Sequence, residues 1–155
     1  MIMDNQSNLS ELNQYAEVVA YCTCFNLRKA SRCVTQIFDE VLQPTGLRIT
    51  QLTLLVAIAL VGEITITHLA NELVMDRTTL TRNLKPLVKQ GLLTTVTGKD
   101  RRTRIVTLTD EGRKALNQAL PLWQKAQSLI IERLGRQNWR SLLENLSATV
   151  AATTN

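Results

Sequence analysis

Residues 66–109 pass from two apolar sets at helical period to one at strand period, and few folds accommodate that order. The stretch "ITHLANELVMDRTTLTRNLKPLVKQGLL" (66–93) holds two apolar sets at helical spacing. Leu69, Ala70 and Leu73 form one, Leu80, Leu84 and Leu87 the other, and the short link Val74-Met75 separates them. Thr65 can cap a first short helix, Ile66–Leu73, and Asp76 a second, from Arg77 to about Gln90. After Gly91 the period shortens to that of strands. Two runs rich in β-branched residues, Thr94–Thr97 and Ile105–Thr109, flank a polar tip and read as a hairpin. Two short helices on a tight link, followed by a hairpin, specify a helix-turn-helix with a wing.

Charge marks the same segment. Residues 76–104 contain Arg77, Arg82, Lys85, Lys89, Lys99, Arg101, Arg102 and Arg104 against Asp76 and Asp100, a balance of +6. The rest of the chain has ten basic and eleven acidic residues, so the whole net charge of +5 arises in 29 consecutive residues. A basic segment on a nearly neutral body is the footprint of a nucleic-acid face. With the leucines turned inward, Arg77, Thr78, Thr79, Thr81, Arg82 and Lys85 are left on the outward side or first turn of the second helix. Arg reads guanine bidentately, Thr contacts phosphate or a thymine methyl, and Lys tracks phosphate. The wing tip adds Lys99, Arg101, Arg102 and Arg104, which suit phosphates and a narrow minor groove. Asp100 is placed to orient one of these arginines, most simply Arg102.

The flanks read as helices. Ala20, Leu27, Ala30, Val34, Ile37 and Val41 recur at three- and four-residue steps, predicting one long helix from about Ala16 to Leu42 that "QPTG" (43–46) stops. Thr50 can cap a helix over Gln51–Leu60, apolar almost all round and so expected to be buried. A long helix opens at about Asp110, with acids suiting its dipole and Pro121 expected to bend it. A last helix, about Gln137–Val150, carries Trp139, Leu142, Leu143 and Leu146 on one side. At 155 residues the chain is expected to form a single domain over 1–155. Within it the winged helix-turn-helix falls at about 47–112. The fold class is mainly α, about six helices plus the hairpin. The apolar run "LTLLVAIALVG" (52–62) is shorter than a membrane span, and the N-terminus lacks a secretory layout. The expectation is a soluble cytoplasmic protein without a membrane partner.

"THLANELVMDRTTLTRNLKPLVKQGLL" followed by "GKDRRTRIVTLTDEGRKAL" resembles the winged helix-turn-helix of MarR-type transcription regulators. The more specific part is the Asp-x-Arg wing with "V-x-L-T-x-x-G", here Asp100, Arg102, Val106, Leu108, Thr109 and Gly112. The resemblance covers nearly the whole chain. It implies a homodimer built by helices at about 12–43 and 110–152, bound to double-stranded DNA at a pseudopalindromic operator. It also implies a small-molecule effector or an oxidant as signal, and the function expected is a repressor so released. One departure is Val74, standing where the family often has glycine; a β-branched residue resists positive φ. Pro86 removes one backbone donor inside the second helix.

Three cysteines, an odd number, fit a reducing compartment rather than a disulfide framework. In a regular helix Cys22 and Cys24 point about 200° apart, and Cys22 and Cys33 lie roughly 16 Å apart by rise, so neither pair can bridge within the chain. Arg28, Lys29 and Arg32 nearby favour a thiolate, which makes Cys22, Cys24 and Cys33 candidate redox sensors beside the simpler reading of small buried hydrophobes. With His68 the only histidine, no metal-ligand spacing stands out, and none is expected. No cofactor is implied, and no phosphate loop, paired acid motif or nucleophile–base pair suggests an enzyme. The rival of another class is an architectural DNA-binding protein that coats DNA by counterion release without answering a signal.

Overall fold

A computed structural model describes residues 3–98, 100 and 103–154, with side chains from residue 11 onward. The chain divides into two compact units, one up to Ile37 and one from Phe38 on.

The first unit contains α1 (Met3–Tyr21) and most of α2 (Thr23–Leu42). The single long helix expected from about Ala16 is therefore broken, at Cys22, and helix begins well before Ala16. The Asn26 side chain explains the break. Its Nδ2 donates to the carbonyls of Val19, Ala20 and Cys22 at 3.2, 3.3 and 3.0 Å. In an unbroken helix the first two would accept from Thr23 and Cys24. The Phe25 N–H donates to the Cys22 sulfur at 3.5 Å, so Cys22 stands as the N-cap of α2. The angles and rises reckoned for an unbroken helix consequently do not hold across Cys22.

The second unit holds the core. Phe38 and Leu42, on the last turns of α2, are buried, and a 3-10 turn at Gln43–Thr45 ends with Gly46 at φ 70°. Helix α3 runs Ile49–Val61. Its cap is not Thr50, which lies inside the first turn. The Gln51 side chain instead accepts from the Arg48 N–H at 2.9 Å, and Asp39 Oδ1 accepts from the Ile49 N–H at 2.7 Å. Leu52, Leu55 and Ile58 are buried as expected, but the end of α3 is not, with Leu60 82% exposed.

A two-residue strand β1 (Ile64–Thr65) precedes α4 (Ile66–Glu72), and Thr65 caps α4 by accepting from the His68 N–H at 3.1 Å. Helix α5 is Arg77–Lys89, capped by Asp76. The hairpin is β2 (Leu93–Thr97) and β3 (Arg104–Leu108), pairing Leu93 with Leu108 and Thr97 with Arg104. β1 joins the other edge of β3, Ile64 opposite Val106, which makes a three-stranded antiparallel sheet where only a hairpin was expected. Helix α6 (Asp110–Leu134) continues through Pro121, and α7 spans Arg136–Thr153. Leu69, Ala70, Leu80, Leu84 and Leu87 are buried between α4, α5 and the sheet, with Leu73 half-buried. No single helix among the described residues is long and apolar enough to cross a membrane.

The turn between α4 and α5 is a Schellman motif. The Met75 N–H donates to Ala70 O at 2.8 Å and the Val74 N–H to Asn71 O at 3.1 Å. Its left-handed position is Val74, at φ 51°, the only non-glycine residue with positive φ among those described. A β-branched L-residue there costs about 1–2 kcal/mol, whereas glycine loses about 0.5–1 kcal/mol through its freer unfolded chain. Val74→Gly is expected to raise the unfolding free energy by about 0.5–1 kcal/mol in a urea titration. A fall would mean that the Val74 side chain, 62% exposed, supports the turn by contacts.

Candidate nucleic-acid interface

Helix α5 has two faces because its residues recur at helical spacing. Leu80, Leu84 and Leu87 are buried, and this turns Arg77, Thr78, Thr81, Arg82, Lys85 and Lys89 outward. Asp76 starts the helix, its Oδ1 accepting from the Thr79 N–H at 2.8 Å. Thr79 is thereby half-buried at the cap and does not line the cleft described next. Thr81 donates its hydroxyl to the Arg77 carbonyl at 2.7 Å, which leaves its oxygen lone pairs and methyl for a ligand.

Between α5 and the sheet lies an open cleft of about 980 Å³. Arg77, Thr78, Thr81, Arg82, Lys85 and Lys89 line it from α5, Thr95 and Arg104 from the strands, and Ile66, Leu84 and Val88 form apolar parts of its wall. Arg104 is held at the wing by Nη1 donating to Thr97 Oγ1 at 3.3 Å, across the strand pair that closes the described ladder. Beyond it, the Gly98 N–H donates to Thr103 O at 2.9 Å and the Thr103 N–H to Asp100 O at 2.8 Å, forming the turn. Lys99, Arg101 and Arg102 lie outside the described residues, so the expected orientation of Arg102 by Asp100 lies there too.

The structure thus gathers Arg77, Thr78, Thr81, Arg82, Lys85 and Arg104 in one concavity, and adds Lys89, counted in the basic segment but not among the outward residues of the helix, and Thr95, which the sequence had not marked. Lys89 follows Lys85 by one helical step, a visible signal. α5 continues through Pro86 to Lys89. Thr95 becomes legible only through the β2–β3 register. Cys22, Cys24 and Cys33 belong to the other unit. All three are free thiols, Cys22 half-buried and the others exposed. Among the described residues no group of three His, Cys, Asp or Glu could hold a metal ion.

The proton affinity of Asp76 is lowered by its place at the cap. Hydrogen bonding from the Thr79 side chain, then from the Thr79 and Thr78 N–H groups, with Arg82 nearby, holds its carboxyl below the ordinary value. A depressed carboxyl contributes stability that is whole above about pH 4 and lost as pH falls through the lowered pKa. The acid side of the melting profile is therefore expected to fall more steeply in the wild type than in Asp76→Asn, which keeps an acceptor for Thr79 but carries no charge. Superimposable profiles below about pH 4 would show that the carboxylate adds nothing.

The chain matches the model of the MarR family over residues 45–103. It is similar to the transcriptional regulator MosR of M. tuberculosis in complex with DNA, at 35% identity and TM-score 0.74, covering 86% of this chain and 99% of that one. The transcriptional repressor CouR bound to a 23-mer DNA duplex is 29% identical, with TM-score 0.76 and coverage of 86% and 95%. An uncharacterised HTH-type transcriptional regulator, YwoH of Bacillus subtilis, is 28% identical over 88 residues. That match takes in 57% of this chain and 64% of YwoH, so the chain spans less than two thirds of that relative's length.

Proposed function

From the premise that the chain belongs to the MarR family, whose members are transcription regulators and not enzymes, we propose that it is a cytoplasmic repressor acting as a homodimer on a pseudopalindromic operator. The observation that carries this reading is the cleft beside α5, where five cations from two elements converge on one concavity. Such convergence suits phosphates on the rim and base edges at the helix. That relatives with the same fold are DNA-bound supports it.

Arg82, one turn beyond Thr78, is assigned to base reading. Arg104, steadied by Thr97, is the described wing cation and is assigned to the backbone. Lys99, Arg101 and Arg102 belong to the same proposed wing contact. Each subunit contributes helices at about 12–43 and 110–152 to the dimer. In support, Tyr15, Val18 and Val19 on one unit, and Trp123, Leu142, Leu143 and Leu146 on the other, are exposed in the single chain.

Operator recovered by selection from random duplexes provides the test. Arg82→Ala should cost about 1–3 kcal/mol on operator and flatten discrimination against scrambled DNA. Arg104→Ala should weaken both duplexes and make the salt dependence shallower by about one unit. Both variants should scatter light at twice the 17.4 kDa of one chain. Unchanged affinities in both variants would overturn the assignment, and uniform footprints without a palindrome would favour an architectural coat.

The releasing signal is a small-molecule effector or an oxidant. The oxidant is favoured by three free cysteines within one short segment and by the Cys22 sulfur at the head of α2. Mild peroxide should weaken operator binding reversibly by thiol reductant. A variant with Cys22, Cys24 and Cys33 all replaced by Ser should bind as the wild type does and ignore peroxide. Equal sensitivity in that variant would exclude the cysteines and leave a small-molecule effector.

A further inference from the structure

We propose that Thr109, backed by Gly112, is a positioning residue that ties α6 to the end of α5, so that the cleft-facing side of α5 turns with α6. The inference rests on the DNA-binding reading above. After Lys89 the chain leaves α5 through a second Schellman motif. Gly91 takes φ 72° and its N–H donates to Val88 O at 3.0 Å, while the Leu92 N–H donates to Leu87 O at 3.0 Å. The carbonyls of Gly91 and Leu92 are then engaged by one residue. The Thr109 hydroxyl donates to Gly91 O at 2.7 Å, and the Thr109 N–H donates to Leu92 O at 3.1 Å. The same hydroxyl oxygen accepts from the Gly112 N–H at 3.0 Å and so caps α6.

Gly112 lets the two pieces close. It is buried, and a Cβ there would stand 2.0 Å from Leu92 O and 2.8 Å from Leu108 Cδ1. No side chain fits while this contact is kept. The exit of α5 and the entry of α6 are thus joined by two oriented hydrogen bonds from Thr109, with the Gly112 N–H fixing the Thr109 hydroxyl, at the base of the Leu93–Leu108 pair. Buried leucines decide which side of α5 faces inward, but apolar burial is non-directional. Hydrogen bonds have strict angles, and these fix how α5 is rotated about its own contact. Base reading depends on that rotation, because bidentate contacts have narrow geometry; attraction to phosphate does not.

Thr109→Asp separates the tie from the cap. Its carboxylate can still accept from Gly112 but cannot donate to Gly91 O. Thr109→Ser retains both bonds. With selected operator and a scrambled duplex as probes, Thr109→Asp should weaken operator binding at least tenfold, change scrambled binding less than threefold, and melt near the wild type. Thr109→Ser should match the wild type on both duplexes. Gly112→Ala, which opens the joint without adding charge, should show the same selective loss as Thr109→Asp. Wild-type operator affinity in Thr109→Asp would overturn the proposal. So would equal loss on both duplexes, the mark of general repulsion or unfolding. A wild-type protein that binds neither duplex would overturn the DNA-binding reading, and this inference with it.

Discussion

The burial of Leu80, Leu84 and Leu87 decides where the cations of α5 point, and the candidate site depends on it. Each leucine taken fully from water contributes about 1.5–3 kcal/mol. The opposing term is repulsion among exposed cations. In water two unit charges 4 Å apart repel by about 1 kcal/mol, and salt reduces this over a Debye length of about 8–10 Å. Three buried leucines outweigh that repulsion, so the leucine packing holds the basic face together. The ion pairs His68–Glu72 and Lys114–Glu111 lie away from this face. The four cations of α5, Arg77, Arg82, Lys85 and Lys89, thus keep one outward face because the helix beneath them is well anchored.

The parts of this fold legible in the sequence were those governed by neighbours within a few residues. Thr65 and Asp76 cap their helices because a short side chain with an oxygen lies three residues before an N–H it can reach. The hairpin followed from two β-branched runs and a polar tip. Thr50 has the same chemistry as Thr65 but was the wrong cap, because Gln51 and the distant Asp39 satisfy the first amides of α3 two residues earlier. β1 has only two residues and becomes a strand solely through Val106 and Ile105, some forty residues on. The break at Cys22 was hidden for another reason. Periodicity registers where apolar residues recur, and Asn26, a polar residue with no place in that pattern, takes the carbonyls that would have carried the helix onward. The cleft was half legible: α5 supplied its residues by spacing, while Thr95 and Arg104 needed the strand register.

Helix α5 is bracketed by two turns of one kind with different residues at the critical position. Gly91 meets the positive φ after α5 without strain, and Val74 meets the one before it with strain. The difference has a physical consequence for placement. At Gly91 both following carbonyls are claimed by Thr109, so the exit is held from outside the turn as well as by its own bonds. At Val74 the turn is closed by its own bonds, to Asn71 and Ala70, and Asp76 begins the next helix two residues later. The entrance of α5 is therefore fixed by local geometry and by a cap whose carboxylate responds to acid. The exit is fixed by a joint to α6.

That asymmetry matters for the cleft, whose α5 residues run from Arg77 at the entrance to Lys89 at the exit. A rotation passed through the Thr109 joint would move Lys85 and Lys89 first, and would reach Arg77 only as far as α5 behaves as a rigid rod. Pro86 lies on that route and lacks the N–H that would bond to Arg82 O, although the helix remains continuous through it. One missing rung softens a helix locally without ending it. The end of α5 next to the joint is therefore coupled most tightly to α6, and the Asp76 end is governed more by the α4 turn. In the proposed regulator, a turn arriving along α6 would be largest at Lys89, whose attraction to phosphate tolerates it, and smallest at Arg77. The leucine packing at Leu80 and Leu84 decides how much of the movement survives to the base-reading turn around Arg82.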